Sequence, residues 1–334
     1  MDVVPTEGGS LFNEYCRLLS SAGVAMSTIP RLDAAAALQP NDVLLVVDMQ
    51  LDFLPGGSFA VPEGDVIVPV VADAMRRFAS AGASIFCTRD YHPINHCSFE
   101  AYGGSFPPHC VQGTRGSLLC PEVAETVMQL VQREKERDKQ SQPGTGDGAC
   151  VQVVFKGFSP DIDSFGALPY TEEGAAGRCL TSTPPPKPEP KHANSKGRCK
   201  GVEWTGASLL FSSNFEQDPN APPDVMAILK PLALATASMT SSCARDARTE
   251  EVATTARRPK LVVCGVALDF CVLDSAMNAT LVPDFKNRFD ICIAVNASRP
   301  SHAAGVGAFG SGFLSDPAWV ARKLRDFSIG FVLI

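Results

Sequence analysis

The feature that most constrains this chain is a series of short, almost wholly apolar, β-branched runs, at 43–47, 84–88, 151–155, 261–264, 291–295 and 331–334. Runs this short and this uniformly apolar suit strands that are buried on both faces. Between them lie helical stretches at 66–81, 121–133, 271–281 and 317–327, the first ending at Gly82 and the last opening with Pro317. The alternation predicts an α/β fold with three α/β/α layers, a mainly parallel six-stranded sheet and a Rossmann-like arrangement. In such a sheet ligands bind beyond the carboxyl ends of the strands, so the residues that follow each run are where chemistry is expected.

The chain has 334 residues, 45% of them hydrophobic, enough for one large domain or two ordinary ones. Its net charge of -7 gives no electrostatic footprint for a polyanion, so no nucleic-acid partner is expected. The first residues, MDVVPTEGGS, lack a secretion signal, and no apolar stretch is long enough to span a bilayer; a cytoplasmic protein without a membrane partner is expected. Without a signal peptide, the twelve cysteines read as reduced, mostly buried small hydrophobes. Residues 1–40 carry weak helical character and read as an N-terminal extension, with a domain over 41–334. A low-complexity insertion at about 171–258, containing STPPPKPEPK, is expected to be partly disordered, although 203–215 has enough apolar residues to dock.

The positions past the runs give Asp48, the tripeptide Asp90-Tyr91-His92, Lys156 and Cys271. An acid, a cation and a thiol are the requirements of thiol-based acyl transfer: a nucleophile, a proton acceptor, and a charge that keeps the acceptor ionised. Cys271 opens a predicted helix, where the dipole favours thiolate over thiol. Asp48, placed directly after four apolar residues, needs a partner if buried, and Lys156 is the natural one. Three of the five histidines, His92, His96 and His109, fall within one short stretch. Asp90 and His92 are two apart and point to the same side of an extended chain, while His109 follows a double proline and could supply a third ligand. An Asp/His set of this kind suits one divalent ion, Zn(II), Fe(II) or Mn(II), with positions left open. His96 reads equally as a fourth ligand or as a donor behind the others. Phe53 and Phe106 flank the same rim and suit either an aromatic sandwich or core packing.

These residues resemble the nicotinamidases of the isochorismatase-like cysteine hydrolase superfamily, through VVDMQLDF at 46–53, TRDYHP with HCSF at 88–99, FPPHCVQGT at 106–114, FKGF at 155–158 and GVALDFCV at 265–272. The resemblance implies the isochorismatase fold, a catalytic triad of Asp48, Lys156 and Cys271, and a divalent metal, zinc foremost, on Asp90, His92 and His109. It implies a cis peptide between Val266 and Ala267, an oxyanion hole from the N–H groups of Ala267 and Cys271, and substrate contacts from Phe53, Phe106, Val266 and Ala267. The implied reaction converts nicotinamide to nicotinic acid and ammonia in NAD salvage, and members often form homo-oligomers. Rival readings are a hydrolase for another small amide or carbamoyl compound, or a non-catalytic metal-binding interaction protein. Many members have tryptophan where this chain has Phe106, which keeps a ring but loses the indole N–H.

Overall fold

The computed structural model describes residues 10–32, 37–140, 151–157, 160, 163, 165–168, 211–212, 257–281, 283–301 and 316–334. Seven strands form one sheet: β1 (Val43–Val47), β2 (Ser84–Asp90), β3 (Val151–Lys156), β4 (Phe211–Ser212), β5 (Lys260–Val266), β6 (Asp290–Arg299) and β7 (Gly330–Val332). Their order is β4-β3-β2-β1-β5-β6-β7. Six strands pair in parallel, as their two-sided apolar character requires. The seventh, β4, comes from the insertion and adds antiparallel to β3 at Val154 and Phe155, so the six-stranded expectation gains a two-residue edge. The rest of the insertion lies outside the described residues.

The helices are α1 (Ser10–Ser21), α2 (Val68–Ser80), α3 (Pro121–Gln140), α4 (Leu273–Leu281), α5 (Pro283–Arg288) and α6 (Pro317–Asp326). The chain runs outward from β1 through β2 to β3, then returns to β5 on the other side of β1 and runs outward again. Right-handed crossovers therefore put α2 and α3 on one face and α4 and α6 on the other. The order reverses between β1 and β5, and that switch point leaves a crevice at their carboxyl ends. Local signals set the helix ends: Gly82, at φ 80°, follows α2, and Asp316 caps α6 by accepting the Ala318 N–H at 2.9 Å. No helix among the described residues is long and apolar enough to cross a membrane.

Residues 10–32, read from sequence as an extension, join the same core. Phe12, Tyr15, Cys16 and Leu19, spaced to share one face of α1, are buried, and the Arg299 guanidinium lies 4.0 Å from the Phe12 ring. The backbone of Pro30 and Leu32 bonds to Leu333 beyond β7. At the opposite end of the sheet from the crevice, Asp42 receives both terminal nitrogens of Arg257 at 2.8 and 2.5 Å, together with the backbone N–H groups of Gln39 and Lys260. That fork ties the start of β5 to the start of β1.

β5 reaches the crevice through Gly265, which sits at φ 112° where a Cβ would meet the Val47 carbonyl oxygen at 2.1 Å. Gly265→Ala is expected to cost about 3 kcal/mol, combining left-handed strain with overpacking. Urea unfolding checks this, and a loss below about 0.5 kcal/mol, the usual scatter for a harmless change, would contradict the close packing of β1 on β5.

Candidate active site

Four strand ends supply the site at the switch point. Asp48 follows β1 and sits at φ 52°, a left-handed backbone that is rare for a side chain other than Gly, Asn or Asp. Asp90 ends β2, Lys156 ends β3, and the two are direct register partners on adjacent parallel strands. Beyond β5 the Val266–Ala267 peptide is cis. A π-helical turn, Leu268–Val272, then carries Cys271 into the site just before α4 begins.

The Lys156 ammonium is the hub. Fully buried, it lies 2.7 Å from Asp48 Oδ2, 2.5 Å from Asp90 Oδ1 and 3.6 Å from Cys271 Sγ. Asp48 also accepts the Thr88 hydroxyl at 2.6 Å and donates its own N–H to the same oxygen. The ligand-type atoms of Asp48, Asp90 and Cys271 lie within 4.8 Å of one another, close enough to hold a cation, but Lys156 Nζ already fills that role. One ammonium cannot neutralise two buried carboxylates. Burial, only partly offset by Lys156, pushes the Asp48 carboxyl up to about 6. Asp90, with Lys156 on one side and His92 on the other, stays well below the usual carboxylate range despite its burial.

Position at a helix start predicts a thiol biased toward thiolate, and the site reverses that. Burial, followed by the two carboxylates, pushes the Cys271 thiol well above its ordinary value, with Lys156 opposing. The resting group is a thiol that must lose its proton to a neighbour, and Asp48, whose carboxylate lies within 4.8 Å of Sγ, is placed to take it.

Asp90 turns its other oxygen toward a second cluster, with Oδ2 3.4 Å from His92 Nε2. The ligand-type atoms of Asp90, His92 and His109 lie within 4.8 Å of one another. The chemistry of the set fits a divalent cation. His92 Nδ1 is 2.9 Å from the Gly157 carbonyl and His109 Nδ1 2.8 Å from the Pro107 carbonyl, so each ring can donate from Nδ1 and would present Nε2 to an ion. His109 is ringed by Phe53, Phe59, Phe99 and Phe106 at 5.1 to 6.1 Å, and burial lowers it to about 4, which keeps it neutral. His96 lies outside the group: its ring is tilted against that of His92 with centroids 4.1 Å apart, and its Nδ1 accepts the Ser98 N–H at 3.2 Å and pairs with the Ser98 hydroxyl at 2.6 Å. It backs His92 and does not join the set.

Above both clusters lies a cavity of about 20 Å³ lined by aromatic rings. Phe53, Phe106 and Ala267 line it as expected, but Val266, the last residue of β5, is buried behind it and takes no part in the lining. Sequence reasoning missed Phe59, Phe165, Phe270, Ser98 and Asp163, which share the lining. Phe270 was within reach, since it precedes Cys271. The others sit in irregular segments that no strand-end rule selects. Asp163 is half-buried, and the protein packed around it pushes its carboxyl up to about 6.

Because Lys156 is fully buried between two acids, removing it takes away the cation that compensates both. Lys156→Met is expected to destabilise the chain by about 3–5 kcal/mol in urea unfolding at pH 7. A change below about 1 kcal/mol, the worth of an exposed pair, would contradict the hub.

Residues 42–137 match the model of the isochorismatase domain. The chain is 34% identical over 144 residues to the nicotinamidase of Escherichia coli K12, covering 39% of this chain and 57% of that protein. It is 31% identical over 157 residues to the nicotinamidase of Acinetobacter baylyi, covering 41% and 61%. It thus spans less than two thirds of the length of these curated relatives. Among solved structures, the PnC1 of L. infantum in complex with nicotinate aligns at a TM-score of 0.49 with 23% identity, covering 89% of this chain and 94% of that one. The motifs thus lie in order along a parallel sheet with their side chains gathered at the switch point, and over residues 42–137 the chain is similar to the isochorismatase domain.

Proposed function

We propose that this chain is a nicotinamidase that hydrolyses nicotinamide to nicotinic acid and ammonia, feeding NAD salvage, through a thioacyl intermediate on Cys271. The observation that carries the reading is the Lys156 hub, which holds an acid, a thiol and the shared carboxylate of an Asp-His-His set in one crevice. The naming of two curated relatives as nicotinamidases supports the choice of substrate.

The pyridine ring lodges among the phenyl rings, with Phe53 and Phe106 as its expected faces. The resting cavity of about 20 Å³ has room for about one water, so those rings must turn aside to admit it. A divalent ion, zinc foremost, held by Asp90, His92 and His109 would supply a positive anchor for the lone pair of the pyridine nitrogen.

Asp48 accepts the Cys271 proton as Sγ attacks the carboxamide carbon. The carbonyl oxygen gains negative charge, and the N–H groups of Ala267 and Cys271 are the proposed donors to it. As the C–N bond breaks, Asp48 passes its proton to the departing nitrogen and ammonia leaves. Water then attacks the thioacyl carbon and gives a proton to Asp48. The C–S bond breaks, nicotinic acid departs, and the proton returns to Sγ. Lys156 remains charged throughout, holding Asp48 toward the thiol.

Cys271→Ala is expected to lower ammonia release from nicotinamide by on the order of 10³-fold or more while leaving bound metal unchanged. Near-parental turnover in that variant would end the thiol mechanism. A second expectation concerns pH. Asp48 works ionised and its carboxyl is raised to about 6, so kcat/KM should fall as pH drops through about 6 with a one-proton slope. A profile that stays flat down to pH 4 would remove Asp48 as the base.

A further inference from the structure

Two polar residues of the 48–53 segment have no part in the chemistry proposed above, yet both are fully engaged. Gln50 is completely buried. Its Nε2 donates to the carbonyls of Asp90 and Ser117, each at 2.8 Å, and its Oε1 accepts the Asp90 N–H at 2.7 Å. The ladder between β1 and β2 stops at Val46 and Cys87. Beyond that point the Gln50 amide replaces the missing strand and grips Asp90 by its own N–H and its own carbonyl.

Asp52 does the corresponding work on the other side. Its Oδ2 accepts the Cys110 N–H at 2.7 Å and its Oδ1 the Ser58 N–H at 3.3 Å. Cys110 follows His109 directly and sits at φ 47°, a conformation the surroundings must impose on a residue of its type. The Cys110 carbonyl in turn accepts the His92 N–H at 3.0 Å. One carboxylate therefore fixes the peptide that carries His109 and, through it, the backbone of His92. The packing allows no slack, because a Cβ on Gly116 would come within 1.9 Å of Asp52 Oδ2.

We infer that Gln50 and Asp52 are the positioning residues of the metal site: without ligating, Gln50 sets Asp90 and Asp52 sets His92 and His109 around one ion. The inference rests on the reading of those three side chains as a metal set. Their strand-turn spacing explains the economy, since alternate residues of one short segment serve the thiol chemistry, one ligand and the other two ligands.

The test is zinc affinity of the full chain, stripped of metal and titrated against a chromophoric chelator, with circular dichroism confirming the fold of each variant. Gln50→Met and Asp52→Ala are expected to raise the zinc dissociation constant roughly 10–100-fold. Asp52→Asn, which keeps an oxygen to accept the Cys110 N–H, should restore most of the loss. Asp42→Ala, destabilised at the opposite end of the sheet, should keep parental affinity. Parental affinity in Gln50→Met and Asp52→Ala would overturn the inference, as would an equal loss in Asp42→Ala. If Gln50→Met fails to fold, the contrast between Asp52→Ala and Asp52→Asn decides the matter. A parent chain that binds no zinc would overturn the metal reading and this inference together. Zinc binding that follows the expected pattern in a chain without amidase activity would leave the inference standing and remove the proposed function.

Discussion

The contact on which the site depends is that between the Lys156 ammonium and the carboxylates of Asp48 and Asp90, made in the absence of solvent at the ends of three neighbouring strands. Two buried acids this close would repel and would lose much of their ionisation without a cation between them. A single lysine leaves one negative charge over. Asp90 carries it toward His92 and His109, where a divalent ion fits, while the Asp48 carboxyl, raised to about 6, is fit to gain and lose a proton near neutral pH. The proton-transfer half and the metal half are thus two sides of one electrostatic arrangement, joined through Asp90.

The fold makes that arrangement inexpensive to hold. Parallel register sets Asp90 and Lys156 side by side without a loop, and the reversal of strand order between β1 and β5 opens the only kind of gap into which a turn carrying Cys271 can drop beside Asp48. Gly265 lets β5 approach β1 closely there. Elsewhere the Arg257 fork on Asp42 braces the sheet away from the crevice, and α1 packs against α6.

The polar members of the site were legible because a sheet with two buried faces leaves its strand ends as the places where such groups converge. Asp48, Asp90, Lys156 and Cys271 each follow an apolar run, and the clustering of His92 and His109 is visible in the sequence alone. What the sequence could not convey was contact between strands. Asp48 pointed to Lys156 as its partner, but only the register of β2 on β3 makes Asp90 an equal one. The helix start argued for a reactive thiolate at Cys271, whereas burial among acids keeps it protonated. His96 could be told from a ligand only by its hydrogen bonds to Ser98, and Phe59, Phe165 and Asp163 reach the cavity from irregular segments that carry no periodic signal.

The account stands on covalent chemistry at one thiol among twelve. Acid quenching during the first turnover with nicotinamide, followed by intact-mass and peptide analysis, tests that most directly. The predicted result is a single pyridine-acyl adduct on the peptide that contains Cys271, which decays as nicotinic acid appears. Release of ammonia with no adduct at any time in that first turnover, or with the acyl group on another cysteine, would contradict it.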